Sequence, residues 1–167
     1  MIIVALGANL SANGYDTPLA TCEAAVLFLK QEEDIEVLRC SRWFRSKPVP
    51  MSKQPKFVNG AVTVNTTLSP ENLLSRLHTI ENSFGRVRQV QNEARKLDLD
   101  LIDFNGKVKV SSVPPMLPHP RTAERAFVLL PVRDLSPNWQ HPITGKTVSA
   151  MISALSSDIR DIYPLTE

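Results

Sequence analysis

Two acids alternate with three leucines in Leu97-Asp98-Leu99-Asp100-Leu101. On a β-strand successive side chains face opposite ways, so Asp98 and Asp100 share one face and the leucines point into the core. Neighbouring carboxylates repel, and burying them unpaired is costly. A hard divalent cation resolves that conflict, and magnesium takes one or two carboxylates together with substrate phosphates. An exposed acidic sheet face fits the same spacing without any metal, so the spacing alone leaves both readings open. The flanking cations favour the first. Arg86, Arg88 and Arg95 lie upstream, and His119, Arg121 and Arg125 downstream. Guanidinium forks match phosphate oxygens bidentately. Acids for a metal and arginines for phosphates are the parts of a phosphoryl-transfer site, although any one loop arginine can simply be solvated.

Asn59 shares a strand face with Phe57, Ala61 and Thr63. A carboxamide offers donors and an acceptor, as the amide-like edge of a heterocycle requires, and Phe57 offers a flat contact surface. An asparagine bonded to nearby backbone is the competing reading. Glu81 falls beside the apolar stripe of a helix and reads on its own as a solvated helix acid, and His78 as a surface histidine.

The elements that must position these residues follow from pattern and punctuation. Ile2 to Leu6 is an apolar run that reads as a buried strand. Thr17-Pro18 caps a helix to about Lys30, with Leu19, Cys22, Val26 and Leu29 at helical spacing. Ile35 to Phe44 and Phe57 to Val64 read as strands, with a proline-rich loop over 46–55 between them. Ser69-Pro70-Glu71 opens a second helix whose stripe is Leu73, Leu77, Ile80 and Phe84, stopped by Gly85. Leu97 to Phe104 is a strand and Asn105-Gly106 a hairpin turn signal, with Lys107 to Val110 as a short partner. Thr122 to Leu130 and Val148 to Leu155 read as further helices. The order β-α-β-β-α-β predicts an α+β fold, a ferredoxin-like antiparallel sheet with helices packed on it and C-terminal additions.

A chain of 167 residues suggests one domain over 1–167. A net charge of +2 suits anionic small molecules and is too weak to argue for nucleic acid. Cys22 and Cys40 form no CxxC pair and read as small buried hydrophobes in a reducing compartment. The apolar N-terminus lacks a basic region and a long hydrophobic stretch, so it does not read as a signal peptide. No apolar run approaches a membrane span of ~20 residues. A cytoplasmic protein, most simply a monomer, is expected.

Taken in order, these residues resemble the 6-hydroxymethyl-7,8-dihydropterin pyrophosphokinase family across nearly the whole chain. The pieces are Leu6-Gly7-Ala8-Asn9-Leu10, Phe44-Arg45-Ser46 with Pro48-Val49, Gln54-Pro55, Phe57-Val58-Asn59, Glu81, and Gly85-Arg86-Val87-Arg88. Arg95-Lys96-Leu97-Asp98-Leu99-Asp100 is the strongest, and Pro118-His119-Pro120-Arg121 and Arg125-Ala126-Phe127 close the series. The resemblance implies transfer of the diphosphoryl group of ATP, the co-substrate, to a hydroxymethyl pterin. It implies two Mg2+ ions on Asp98 and Asp100. It places Gly7, Ser46, Lys47, Val49, Phe57, Asn59 and Phe127 around the pterin, with Glu81, Arg88, Arg95, Leu101, His119 and Arg125 on the nucleotide side. It puts Arg86 and Arg95 on a mobile catalytic loop. Gln91-Asn92-Glu93-Ala94 stands where many members have a Trp-Gly-Pro stretch, and Lys47 replaces a proline.

Two other classes share some features. A nucleotidyltransferase can carry a hydrophobic-Asp-hydrophobic-Asp strand, but it usually adds a Gly-Ser pair at a helix start and a third acid. A ferredoxin-like RNA binder expects an aromatic-rich strand and a stronger basic face. Only 6% of the residues are aromatic, and unmetallated Asp98 and Asp100 would repel phosphate.

Overall fold

The computed structural model describes residues 1–86, 94–155 and 159–165, the side chain of Arg160 excepted. The elements in chain order are β1 (Ile2–Ala8), α1 (Pro18–Gln31), β2 (Ile35–Cys40), β3 (Phe44–Ser46), β4 (Phe57–Thr66), α2 (Pro70–Ser83), β5 (Asp98–Phe104), α3 (Ala126–Leu135), α4 (Val148–Ala154) and β6 (Tyr163–Pro164). The two predicted helix starts are built as the sequence requires. Thr17 accepts from the Ala20 N–H and Ser69 from the Asn72 N–H, each followed by a proline that has no N–H to satisfy.

The strands form an antiparallel sheet in the order β5-β1-β4-β3-β6, and β2 also pairs with β4. The predicted strand from Ile35 to Phe44 is therefore two strands. β2 pairs with the far half of β4 and β3 with Phe57 to Asn59. Trp43 lies in the break, its ring against Gly60, where an added Cβ would come within 2.4 Å of it. The predicted partner for β5 after Asn105-Gly106 is also absent. Both turn residues have positive φ and Lys107 N–H bonds the Phe104 carbonyl, but Lys109 bridges only to Leu117.

Each sheet face has its own core. Ile2, Val4, Leu6, Val62, Leu97, Leu99 and Leu101 pack under α1 and α2. Ile3, Ala5, Ala61 and Ile102 pack under α3 and α4. A bulge where β5 passes Ile3 and Val4 turns both Ile102 and Asp103 toward the α3 side. Asp103 is satisfied there, accepting from Trp139 Nε1 at 2.7 Å and from the Gly106 N–H at 2.8 Å. The third helix starts later than the sequence suggests. Thr122–Glu124 is a short 3-10 turn, and α3 runs through Pro131 to Leu135. Cys22 is buried, its thiol pushed up to about 12 chiefly by desolvation, but Cys40 is exposed rather than a core hydrophobe. Among the described residues, no helix is long and apolar enough to cross a membrane.

Candidate active site

β1 and β5 lie side by side, with Gly7 opposite Asp98 and Ala5 opposite Asp100. Leu99 and Leu101 sink into the core under the helices, so the two acids emerge together on the other face. There they line a cleft open to solvent whose other walls include Gly7, Ser46, Phe57, Asn59, Arg95, Arg125 and Phe127. Lys47 and Val49 also line it, Lys47 pairing with Asp161 at 3.0 Å.

The two acids are treated differently by their surroundings. Asp98 pairs with Arg86 through Oδ1 and with Arg95 through Oδ2. Burial alone would raise its pKa, but the two guanidiniums outweigh burial and hold it below the usual carboxylate range. Among the described residues, the Asp100 carboxylate meets only the edge of Arg125, at 3.5 Å. Burial, followed by the negative charge of Asp98, raises its pKa against the pull of His119 and Arg125. The pair thus keeps one carboxylate whose charge is under-compensated. Among the described residues no three His, Cys, Asp or Glu side chains are placed to hold a metal ion together. Two hard oxygen donors on a rigid strand, facing an open cleft, fit magnesium, which completes its shell with water and phosphate.

Glu81 is the largest departure from its sequence reading. It is fully buried on α2, not solvated. Its Oε1 accepts the Leu99 N–H at 2.7 Å and pairs with Arg86, tying the helix to the acid-bearing strand. His119 is fixed beside β5 by its N–H to the Ile102 carbonyl at 2.9 Å. Burial lowers its pKa against the opposing pull of Asp100, which disfavours the charged ring. Leu101 stands apart from the predicted nucleotide residues, because its side chain is in the core under α1 and α2. Arg88 lies outside the described residues.

The other end of the cleft is a slot lined by Ser46, Phe57, Asn59 and Phe127. Asn59 Nδ2 donates to Ser46 Oγ at 2.9 Å, and both residues are buried. Gly7 lies opposite Asn59, and a Cβ there would stand 3.4 Å from Asn59 Oδ1, so the bare glycine leaves that edge open. Arg95 lies over the Phe57 ring at 5.8 Å and Arg125 over Phe127 at 5.7 Å. Sequence reasoning did not single out Ala5 and Gly60, which also line the cleft. The signal for Ala5 was present: small residues at 5 and 7 alternate with Val4 and Leu6.

Acids on one strand, guanidiniums around them and an amide-tipped slot alongside define a small-molecule phosphotransferase. The family described as 7,8-dihydro-6-hydroxymethylpterin-pyrophosphokinase (HPPK) matches residues 3–137. The chain is similar to the 2-amino-4-hydroxy-6-hydroxymethyldihydropteridine pyrophosphokinase of Synechocystis sp., 37% identical over 98% of this chain and 79% of that protein. The enzyme of the same name from Pseudomonas aeruginosa is 33% identical over 92% and 90%. The folic acid synthesis protein fol1 of Pneumocystis carinii is 38% identical over 78% of this chain, but the match spans only 18% of fol1. A solved HPPK-DHPS complex with substrates superposes with a TM-score of 0.73 at 12% identity, over 99% of this chain and 46% of that one, and shows the likeness of fold. The chain belongs to the HPPK family and is an ATP-dependent diphosphotransferase.

Proposed function

We propose that residues 1–167 form a single pterin pyrophosphokinase domain that transfers the diphosphoryl group of ATP to 6-hydroxymethyl-7,8-dihydropterin. The hydroxymethyl oxygen attacks the β-phosphorus. The bond from that phosphorus to the oxygen bridging the α-phosphate breaks, the hydroxyl proton is lost, and AMP leaves. The observation that carries this reading is the single cleft in which the paired acids meet the Asn59 slot. Such transfers depend on alignment and charge neutralisation more than on covalent help.

Asn59 and Ser46 read the amide edge of the pterin, Phe57 and Phe127 cover its faces, and Gly7, Lys47 and Val49 complete the slot. Arg86, Arg88, Arg95, His119 and Arg125 serve the polyphosphate side, with Glu81 holding Arg86 in place. Asp98 and Asp100 would hold two Mg2+ ions, which when bound supply positive charge to the phosphate oxygens. The partners are these two small molecules, and a cytoplasmic monomer is the simplest working form.

Product analysis tests the reading. Incubation with ATP, magnesium and the pterin should give AMP and a pterin diphosphate ester in equal amounts. ADP with a pterin monophosphate, or ATP consumption indifferent to the pterin, would overturn it.

A further inference from the structure

Asn9 follows β1 and is 1% exposed, yet its carboxamide is bonded on two sides. On one side Oδ1 accepts the Arg95 backbone N–H at 2.7 Å. The Arg95 carbonyl in turn accepts the N–H groups of Asn9 and Leu10 at 3.0 and 3.2 Å. On the other side Nδ2 donates to Gln54 Oε1 at 3.1 Å and to the Pro55 carbonyl at 3.3 Å. Arg95 pairs with Asp98 at the polyphosphate end of the cleft. Gln54 and Pro55 lie between Val49 and Phe57, both of which line the slot. One buried amide therefore joins the backbones of the two ends.

The chemistry of the site selects this residue. An N–H has to be accepted on one side and a carbonyl has to be given a proton on the other, and among side chains of this length only a carboxamide does both. Those partners also fix which way the amide points. A polar group buried behind a cleft costs free energy unless it is bonded, and every bond of this one runs to a segment that carries cleft residues.

We propose that Asn9 is a positioning residue that couples the nucleotide end of the cleft to the acceptor slot. It ties segment 54–57 to the Arg95 backbone, so that ordering of Arg95 by a polyphosphate presets the slot. The identity of the acceptor rests on the function proposed above; the link itself does not.

Hydrogen exchange in the 48–56 segment, measured with and without magnesium and α,β-methylene-ATP, tests the link without any pterin. In the wild-type protein the nucleotide should slow exchange there by about fivefold or more, the low end of ordinary coupling between sites. Asn9→Asp keeps the acceptor for Arg95 and loses both donors. It should bind the nucleotide nearly as the wild type does and lose most of that protection. Gln54→Ala, which spares the Pro55 bond, should fall between. In steady-state assays Asn9→Asp should raise KM for the pterin and leave KM for ATP near its original value. Equal protection in Asn9→Asp and wild type, no protection in the wild type, or equal weakening of both substrates would each overturn the link. A wild-type protein that ignores the pterin but shows the exchange effect would support the link while removing the proposed acceptor.

Discussion

Asp98→Asn and Asp100→Asn should stop turnover alike but move stability in opposite directions. Asp98 is the shared partner of two guanidiniums, and the three side chains are 17%, 13% and 21% exposed. Removing one member of a fully buried pair costs about 3–5 kcal/mol. Arg86 keeps Glu81, the asparagine keeps an acceptor and the site is partly wet, so about 1–3 kcal/mol is expected. At roughly 2–4 °C per kcal/mol for a chain of this size, Tm should fall by about 3–10 °C. Asp100 has the opposite sign. Its pKa is raised in the fold by burial and by Asp98, so the folded state holds that proton more tightly than the unfolded chain. Its ionisation costs stability as pH rises from the ordinary carboxylate pKa through the raised one. An asparagine removes that cost and gives up only the 3.5 Å contact with Arg125, so Tm should hold or rise. Thermal unfolding at pH 7 in chelator, beside activity in magnesium, reads both effects. An Asp100→Asn protein destabilised as much as Asp98→Asn would refute the reasoning.

Glu81→Ala should cost about 2–4 kcal/mol in urea unfolding, because it strips the Leu99 N–H and Arg86 of a buried acceptor. Glu81→Gln should recover part of that by keeping the Leu99 bond. Gly60→Ala should cost about 1–3 kcal/mol by overpacking, since its Cβ would fall 2.4 Å from the Trp43 ring, and pairing it with Trp43→Leu should relieve the cost. Magnesium affinity, followed calorimetrically with ATP present, should fall as pH drops through a value above the ordinary carboxylate range, because Asp100 takes up its proton there. A midpoint in the ordinary carboxylate range would contradict that direction.

What the sequence made legible was local. Thr17-Pro18 and Ser69-Pro70 cap their helices through contacts three residues away. The alternation in 97–101 settled which way the acids face, because it depends only on the strand period. The features it concealed depend on distant partners. Nothing beside Glu81 announces its burial, since its acceptor role is set by Leu99, 18 residues on. The break between β2 and β3 follows from Trp43 lying against Gly60, with Ser41 Oγ taking the Ala61 N–H at 2.9 Å. Asn9 stood in view as part of a motif, but its partners are 45 to 86 positions away. α3 runs past the expected end at Leu130, because the helix continues beyond the one hydrogen bond that Pro131 forfeits.

The charges of the cleft support the proposal that Asp98 and Asp100 hold a metal. Among the described residues, Arg86, Arg95 and Arg125 face Glu81, Asp98 and Asp100, and burial disfavours the charged form of His119. The formal charges of these six side chains cancel, and Arg121, near His119 and Arg125, adds one cation beside them. A triphosphate, with about four negative charges to desolvate, meets no net attraction from those six. Arg86 and Arg95 are both engaged by Asp98, so their charge is already committed within the protein. Divalent ions held by Asp98 and Asp100 would change the balance twice over, adding positive charge and leaving those guanidiniums available to phosphate. The same acids that balance these guanidiniums are therefore the ones that would make the cleft cationic by holding ions. A chain with more arginines and no acids there would attract ATP without any ion, but it would carry an unpaired cluster of buried guanidiniums into the fold.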